Sequence, residues 1–569
     1  MRLNFAAPTI TAWTTGLATL ALVASTSQLA AQAAGGAPPE IQRAQALLQA
    51  GHADSVVLIL EPFLARSPNA PQAQLLLGDA YRTSGDADKA VATYAQVRSP
   101  QPFRLAARFR AAWVEAGRGR SDAAFALIDT LRASGAFDID NVLNAPQLES
   151  LKADARWARL PWRAEEFERP FVEPARIIHE WAGEAKGDQF SWIARGIGDA
   201  DGDGVSEIVT SAPTNGATGP GQAPGRIYVY SGRSGRLLWQ ASGKGNEQLG
   251  TGLEGAGDVN GDGIPDVIAG APGGNRAYVY SGRDGRLLHT LAPTDSGGNF
   301  GQSAAGAGDQ DGDGVDDLVV GAPATTSSAP GAGRVHVFSG RSGALLYTLD
   351  GEAAGDAFGS IVAGKKGGRS TPLLVGAPGA GANNTGRVYV YAAAARSPRF
   401  TIDADSTGAA LGAMFTSVVG DVDRDGTPDI YASDFPNSAL GPSTGRIYVH
   451  SGADGRRLRT ITGEAAGSGF GIGSADIGDV NGDGYDDLVI GAWQYAGAAP
   501  SGGRIYLYSG RDGSLLRTIT GRVPGETLGF DATGVGDVDG DGSIDLLVTS
   551  SWSNINGFRS GRMYVISGR

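Results

Sequence analysis

The strongest constraint on this chain of 569 residues is a unit that recurs seven times towards its C-terminus. The clearest copy runs from Asn299 to Gly351 and joins an Asp-rich loop to several short β-branched segments. The copies follow one another at intervals of 51 to 59 residues. Marked by the first residue of the loop, they begin at Asp199, Asp258, Asp309, Gly364, Asp421, Asp479 and Asp537. A period in this range is typical of a propeller or a solenoid, because each unit buries its apolar face against the next.

Each copy contains four strand-like segments separated by Gly and Pro. The run Leu318-Val319-Val320 is apolar at successive positions, as expected of a strand that is covered on both faces. The segment from Arg226 to Tyr230 mixes aromatic and β-branched residues, and a Ser-Gly-Arg-x-Gly stretch supplies the turn that follows. Because four short strands make one blade, the sequence predicts a mainly β fold, a seven-bladed β-propeller.

The two ends of the repeat array complement each other. The last copy ends at Arg569 without its fourth strand, whereas residues 176–183, ahead of the first copy, have the pattern of that strand. We therefore expect residues 176–183 to pair into the last blade and close the ring, since closure removes an open sheet edge. The propeller domain is predicted over residues 176–569.

Six copies carry a loop of the form D-x-[DN]-x-D-G-x-x-[DE]. Alternate side chains on such a tight loop turn towards one centre, and the Gly after the third ligand permits the sharp turn. An all-oxygen donor set favours Ca²⁺ over zinc or copper. The predicted metal ligands are Asp199, Asp201, Asp203 and Glu207; Asp258, Asn260, Asp262 and Asp266; Asp309, Asp311, Asp313 and Asp317; Asp421, Asp423, Asp425 and Asp429; Asp479, Asn481, Asp483 and Asp487; Asp537, Asp539, Asp541 and Asp545.

The loops differ from those of an EF-hand, because position 12 carries no Glu and the flanking segments are strand-like. In the fourth copy Lys365, Lys366 and Arg369 replace the acids, so that copy is predicted to bind no metal. Six divalent ions would offset most of the formal charge of −13. The same negative charge argues against a nucleic-acid partner. We predict about six Ca²⁺ sites.

Two short motifs recur at fixed places in the unit. Phe-Gly pairs stand at Phe300-Gly301, Phe358-Gly359 and Phe470-Gly471, and Gly-Ala-Pro stands at 270–272, 321–323 and 376–378. These motifs resemble the FG-GAP repeats of the integrin α-subunit propeller. The resemblance implies Ca²⁺ in loops between strands and a role in extracellular recognition. Leg domains, an inserted domain and a membrane span are not recognisable in the sequence, so integrin-type signalling is not implied.

The N-terminal part differs in composition from the repeats. Residues 1–33 are predicted to be a secretory signal peptide, with Arg2, an apolar stretch at 16–25 and a small-x-small site at 31–33. The chain has no Cys and no apolar run of the roughly 20 residues that a membrane helix needs. We therefore expect a soluble exported protein, periplasmic or extracellular.

Residues 38–135 are rich in Ala and Leu, with apolar positions three and four residues apart, which predicts helices. Gly51, Gly85 and Gly117 recur at 34 and 32 residues, and the segment resembles a tetratricopeptide repeat domain. This small all-α domain is interpreted either as a peptide-binding groove or as a cap. Residues 136–175, which contain several Pro and Trp, are predicted to be an ordered connector.

Two classes of function follow from the propeller. The first is a non-catalytic recognition or adhesion module that binds a protein or glycan through the loops that differ between copies, residues 214–223, 325–332 and 495–501. The alternative is a carbohydrate-active or other hydrolytic propeller with its site at the central channel. Exposed rings of Trp239, Trp493 and Trp552 would stack on sugar faces, whereas packing in the seams between blades is the commoner role of Trp. His336 and His450 occupy strand positions that other copies give to Tyr, which predicts packing roles. A third reading makes the helical region the binder. The oligomeric state stays open.

Overall fold

The computed structural model describes residues 37–219, 221–295, 297–364 and 372–569. The chain divides after Trp162 into two compact units. The predicted signal peptide, residues 1–33, and the basic residues Lys365, Lys366 and Arg369 lie outside the described residues. No helix in the described ranges is both long enough and apolar enough to cross a bilayer.

The first unit is helical, as the sequence predicts. Its helices are α1 Pro39–Gln49, α2 Ala53–Arg66, α3 Pro71–Thr83, α4 Ala87–Ala95, α5 Gln101–Gly117, α6 Ser121–Ala133 and α7 Asp140–Leu143, followed by 3-10 turns at Pro146–Leu151 and Trp157–Arg159. Helices α3 and α4 approach closely because Gly78 leaves room for the Tyr94 ring, and a Cβ at Gly78 would collide with that ring. The Tyr94 hydroxyl donates to Asp79 Oδ1 at 2.7 Å, which satisfies a polar group in the core.

The second unit contains seven four-stranded antiparallel sheets within the described ranges, which confirms the seven-bladed propeller. The strands of the first three blades are Ala194–Gly198, Glu207–Ala212, Arg226–Tyr230 and Leu237–Ser242 (β2–β5); Leu253–Gly257, Asp266–Ala271, Arg276–Tyr280 and Leu287–Leu291 (β6–β9); Ser303–Gly308, Asp317–Ala322, Arg334–Phe338 and Leu345–Asp350 (β10–β13).

The remaining four blades have the same antiparallel order. Their strands are Ile361–Ala363, Leu373–Ala377, Arg387–Tyr391 and Phe400–Asp403 (β14–β17); Thr416–Val418, Ile430–Asp434, Arg446–His450 and Arg457–Thr462 (β18–β21); Phe470–Gly478, Asp487–Ala492, Arg504–Tyr508 and Leu515–Thr520 (β22–β25); Ala532–Gly534, Leu546–Ser550, Arg562–Ile566 (β26–β28) and, at the edge of the seventh blade, Ile177–Ala182 (β1).

Strand β1 closes the ring, as predicted from the ends of the repeat array. It pairs antiparallel with β28, and Trp181 stands opposite Met563. The Trp181 indole N–H also donates to the Gly235 carbonyl of the first blade at 2.9 Å. An apolar cluster that includes Phe190 and Leu547 fills the seam between the seventh and first blades. Closure therefore combines strand pairing with a buried seam.

The Phe-Gly and Gly-Ala-Pro motifs have separate packing roles. Phe300 is fully buried and meets the Phe338 ring edge to face, with centroids 6.0 Å apart. The Gly301 amide donates to the Gly321 carbonyl at 3.0 Å within the third blade. A Cβ at Gly321 would collide with the Gly359 carbonyl oxygen of the fourth blade. The glycines are required because two backbones meet there without room for a side chain.

The meander in each blade places its loops on two opposite faces of the ring. We call the four strands of a blade A to D in the order from the channel outwards. The A–B loops, which hold the acidic motif, share one face with the C–D turns, and we call it the acid-loop face. The B–C loops share the other face with the connections between blades that carry the Phe-Gly pairs. We call this the Phe-Gly face; a backbone bridge from Gly333 to Phe358 joins its two kinds of loop.

Candidate metal centres and channel mouth

Each acidic loop is folded by hydrogen bonds from its own backbone to its carboxylates. In the first loop Asp199 Oδ1 accepts from the Gly202 amide at 2.7 Å and Asp199 Oδ2 from the Gly204 amide at 2.9 Å. Asp203 Oδ1 accepts from the Val205 amide at 2.9 Å. These bonds hold the alternate side chains on the inside of the turn. The first residue of every other acidic loop likewise accepts from the amide of the Gly five positions on.

Carboxylate oxygens converge in four of the six loops. In each cluster the candidate ligand atoms lie within 4.8 Å of one another. The clusters are Asp199, Asp201, Asp203 and Glu207; Asp309, Asp311 and Asp317; Asp421, Asp423 and Asp425; Asp537, Asp539 and Asp545. In the second loop Asn260 takes the third position, and its side-chain amide donates to Asp266 Oδ1 at 3.1 Å. In the four clustered loops three or four of the predicted ligands are therefore neighbours in space, whereas Asp313, Asp429 and Asp541 are not part of the clusters.

The ninth residue of each loop is a buried acid at the start of strand B. Asp317 Oδ2 accepts from the Gln310 amide at 2.6 Å, and its Oδ1 accepts from the Gly340 amide in the C–D turn at 2.9 Å. Burial, with the nearby carboxylates adding to it, raises the pKa of Glu207 and of Asp429 to about 7. The same causes raise the pKa values of the other four ninth residues, Asp266, Asp317, Asp487 and Asp545.

The donor chemistry of these loops fits a hard cation. Every candidate ligand atom is an oxygen, and the buried carboxylates repel one another in the absence of a positive charge. Glu207 Oε1 is buried and has no hydrogen-bond partner among the described residues. A buried acceptor without a donor is costly, and a cation would satisfy it. These residues are therefore suited to hold a divalent ion.

Sequence reasoning missed the arginines of the C–D turns. Arg341 Nε donates to Asp313 Oδ2 at 2.7 Å, and Arg233 Nε lies 3.3 Å from Asp203 Oδ2. Arg283 is placed in the same way, 3.5 Å from Asp262. The Ser-Gly-Arg segment was interpreted only as a hairpin turn, although its Arg recurs in several copies, 21 to 30 residues after its acidic partner. These turn arginines tie strands C and D to the loop between strands A and B.

A cavity of about 380 Å³ opens in the central channel towards the Phe-Gly face. Its wall includes Trp192 and Phe530 beside the charged residues Arg195 and Glu254. Arg195 Nε donates to Glu254 Oε2 at 2.7 Å, and its guanidinium also pairs with the buried Asp531. Both carboxylates are therefore engaged by one arginine.

Of the two roles considered for the tryptophans, sugar stacking is wrong for two of the three, because their rings are buried. Trp239 is 9% exposed and Trp493 is 2% exposed, so neither offers a ring face for a sugar. Trp239 instead donates its indole N–H to the Gly282 carbonyl of the next blade at 2.8 Å. Trp552 is partly buried. The seams between blades are apolar, so aromatic rings pack there, and composition alone does not show which tryptophans do so.

The packing role predicted for the histidines agrees with the structure. His336 is fully buried and meets the Phe300 ring edge-on, with centroids 5.1 Å apart. Burial lowers its pKa to about 4. His450 is also buried, and its Nδ1 lies 2.8 Å from the Gly455 carbonyl. Neither ring lies in an acidic loop.

The fold and its motifs define a propeller built from FG-GAP repeats. Residues 258–320 and 479–548 match the family model described as FG-GAP-like repeat. The chain is similar to integrin alpha-4 of Xenopus laevis, with 28% identity over 178 residues, which is 29% of this chain and 17% of the relative. It is also similar to integrin alpha-E of Mus musculus, with 30% identity over 161 residues, 25% of this chain and 14% of the relative.

A shorter stretch is more similar still. Integrin alpha-3 of Cricetulus griseus is 38% identical over 91 residues, 15% of this chain and 8% of the relative. The chain thus spans less than a fifth of the length of each of these curated relatives. The likeness therefore concerns a short part of each of these integrin alpha chains.

Proposed function

We propose that this protein is an exported, calcium-stabilised recognition module without catalytic activity. The ions bind in the six acidic loops, and a protein or glycan partner binds on the opposite face. The observation that carries the proposal is the separation of the two loop systems: the repeated acidic loops lie on one face of the ring and the loops that vary lie on the other. The repeated part supports the ring, and the varied part is free to differ between partners.

The acidic loops are proposed as structural ion sites. A loop that supplies oxygens from four side chains and a backbone carbonyl leaves little room for a substrate on the ion. Extracellular modules of this kind bind Ca²⁺ at about 10⁻⁴ to 10⁻³ M. At 5 mM Ca²⁺ each such site would add about 1–2 kcal/mol to the free energy of unfolding.

The test of the ion sites is thermal unfolding in EDTA and in 5 mM Ca²⁺, with the bound ions counted in the same preparation. We expect a higher midpoint in Ca²⁺ and about six ions per chain. Mg²⁺ at the same concentration serves as the control, because it demands a tighter octahedral site and is expected to stabilise less. Equal midpoints in EDTA and Ca²⁺, with no ion retained, would refute this part of the proposal.

The recognition surface is proposed on the Phe-Gly face, in the B–C loops 214–223, 325–332 and 495–501. Its test is binding to arrays of immobilised proteins and glycans, followed by replacement of residues 326–331 with a Gly-Ser segment of equal length. Thr325 and Ala332 are kept because both are buried in the framework. Loss of binding with an unchanged thermal midpoint is the expected result, whereas binding that survives replacement of all three loops would contradict the proposal.

The alternative function, a hydrolytic site in the channel, has one observation in its favour. The cavity of about 380 Å³ is large enough for a sugar residue and contains carboxylates. Against it, Glu254 and Asp531 are both bound by Arg195, and Trp239 and Trp493 are not available for stacking. Turnover of a glycoside panel that is lost in Glu254→Gln would establish the alternative.

The helical unit is proposed as a tetratricopeptide-like domain over residues 38–135, joined by the connector 136–175 to the propeller 176–569. The close packing of Gly78 on Tyr94 supports this, since such repeats need small residues where helices cross. Removal of residues 34–135 from the chain, with partner binding measured afterwards, separates a peptide-binding role from a capping role.

A further inference from the structure

A cluster of aromatic rings lies on the Phe-Gly face where the first, sixth and seventh blades meet. The rings of Trp493 and Trp552 meet at 4.8 Å between centroids and 80° between planes. Trp493 meets Phe530 at 5.6 Å, and Phe530 meets Trp192 at 4.9 Å. Trp192 and Phe530 also line the channel cavity, so the cluster continues from the channel mouth into the B–C loop of the seventh blade.

Arg559 lies in that B–C loop and covers the Trp552 ring. Its guanidinium carbon is 4.1 Å from the Trp552 centroid and 5.0 Å from the centroid of Phe558. The residue is only 6% exposed and has φ +56°, in the left-handed region that is costly for a side chain of this size. The loop thus holds a long charged side chain against two rings in a strained conformation.

The guanidinium of Arg559 has no acidic partner among the described residues. Burial alone lowers its pKa to about 10, with no neighbouring charge acting on it. Glu526, the acid bound to this loop through Ser553, is already paired with Arg562 and with the Tyr564 hydroxyl. A buried arginine is normally paired, because an uncompensated buried charge costs several kcal/mol.

Two further donors in the cluster lack acceptors. The indole N–H groups of Trp493 and Trp552 are buried and make no hydrogen bond to any residue that the structure describes. A Cβ at Gly469 would collide with the Trp493 ring at its Nε1 edge, so the ring is packed tightly against that glycine. The cluster therefore offers unsatisfied donors, one of them charged, and no acceptor of its own to balance them.

We propose that Arg559, backed by Trp552 and Trp493, is the recognition site for a carboxylate side chain of a protein partner. A carboxylate is acceptor-only and planar, and it forms strong charge-assisted bonds with a guanidinium edge. Trp552 and Phe558 lie against the guanidinium of Arg559, and its N–H groups donate to no residue that the structure describes. This site rests on the proposed function in one respect, that the partner binds on the Phe-Gly face.

A peptide carboxylate fits better than an acidic sugar. Sugars are held by exposed ring faces, whereas in this cluster the rings face one another and the Trp552 face is covered by Arg559. The charged donor of the cluster is the guanidinium of Arg559, and its natural partner is the acceptor-only carboxylate of an Asp or Glu side chain. An acidic saccharide is therefore an outcome of the test and not the ligand proposed.

The test uses the full chain in saturating Ca²⁺ and two blocked tripeptides, Gly-Glu-Gly and its isostere Gly-Gln-Gly, with galacturonate as a third probe. Binding is followed by tryptophan fluorescence. We expect the Glu peptide to bind at least about tenfold more tightly than the Gln peptide, the difference typical of a charge-assisted bond. Arg559→Met should abolish this preference and Arg559→Lys should keep part of it. Arg276→Met is the matched control, because Arg276 is an exposed arginine at the start of a C strand on the same face.

Equal binding of the Glu and Gln peptides, or an unchanged preference in Arg559→Met, would overturn the site. Galacturonate binding that depends on Arg559 without binding of the Glu peptide would overturn the peptide assignment. Loss of partner binding on loop replacement, with no effect of Arg559→Met on the peptides, would refute this site alone and leave the proposed function in place.

The thermal midpoint of the free protein distinguishes a binding role of Arg559 from a structural one. A buried arginine without an acidic partner lowers the stability of the free protein. Arg559→Met should therefore leave the thermal midpoint equal to or above that of the wild type. A fall of the midpoint by several degrees without peptide would show that Arg559 serves packing and would overturn the proposal.

Discussion

The close backbone contact between blades at Gly321 predicts a large loss of thermal stability from one added methyl group. In Gly321→Ala the new Cβ would collide with the Gly359 carbonyl oxygen and with the Ser303 hydroxyl. The φ of Gly321 is not in the left-handed region, so the substitution brings no backbone strain of its own. The effect must therefore come from these two contacts, with Gly359 of the fourth blade and with Ser303 of the third blade itself.

The magnitude follows from two terms. Overpacking of a rigid interior costs about 1–3 kcal/mol, and weakening the hydrogen bond from the Gly301 amide to the Gly321 carbonyl costs about 1 kcal/mol more. The second compact unit, residues 163–569, which contains the propeller, has an unfolding entropy of about 0.85 kcal/mol/K on the usual per-residue scale. A loss of about 3 kcal/mol therefore lowers the midpoint by about 3–4 °C.

The assay is calorimetry of the full chain in saturating Ca²⁺, so that ion binding does not differ between variants. Gly219→Ala is the control, because the new Cβ would have as its nearest neighbour the side-chain oxygen of Gln222 at 3.5 Å, an ordinary contact. A midpoint for Gly321→Ala within 1 °C of the wild type, or an equal fall in Gly219→Ala, would refute the role assigned to the seam.

Three further perturbations test other parts of the structure. Glu207→Gln should reduce the ions bound from about six to about five, measured by ion counting, since it removes the buried charge of one loop and leaves the other five intact. His336→Phe should reduce the loss of stability on acidification, because the wild type loses up to about 3 kcal/mol as pH falls from about 6.5 to about 4, where only the unfolded chain takes up the proton. Above pH 6.5 the difference in free energy of unfolding between the two proteins, measured in denaturant titrations, should no longer change with pH. Trp239→Ala should destabilise the propeller by about 3–5 kcal/mol in the same titrations, because it empties the seam between the first two blades and leaves the Gly282 carbonyl without its donor.

The sequence was sufficient to predict the features that repeat. The seven blades, the closing strand and the packing motifs depend on local patterns that recur in the copies. A misleading residue in one copy is therefore outweighed by the others. The ring closure was predictable because the array lacks one strand at its end and has one to spare at its start. The position of the acidic loops at the A–B turn follows from the same alignment of copies.

What the sequence did not reveal depends on contacts between segments that are distant along the chain. The pairing of Arg341 with Asp313 joins two turns of one blade that lie 28 residues apart, and the local pattern shows only a hairpin. The Arg559 cluster is formed by residues of blades at both ends of the array. It occurs once, so the comparison of repeats does not predict it. Sugar stacking by Trp493 stayed open because a lone Trp in a glycine-rich loop gives no local sign of whether its ring is buried.

The geometry of strand B explains how one ring combines a constant framework with variable loops. In the third blade Asp317 begins this strand in the acidic loop, and Gly321 lies four residues later in the seam, roughly 13 Å away. An ion at the first position and the glycine contact at the second would fix the strand at both ends. The loop 325–332 follows directly, so it starts from a fixed point although most of its own residues take no part in either contact. Changes at the tip of that loop therefore cost the ring little, and this is the freedom that a recognition surface requires.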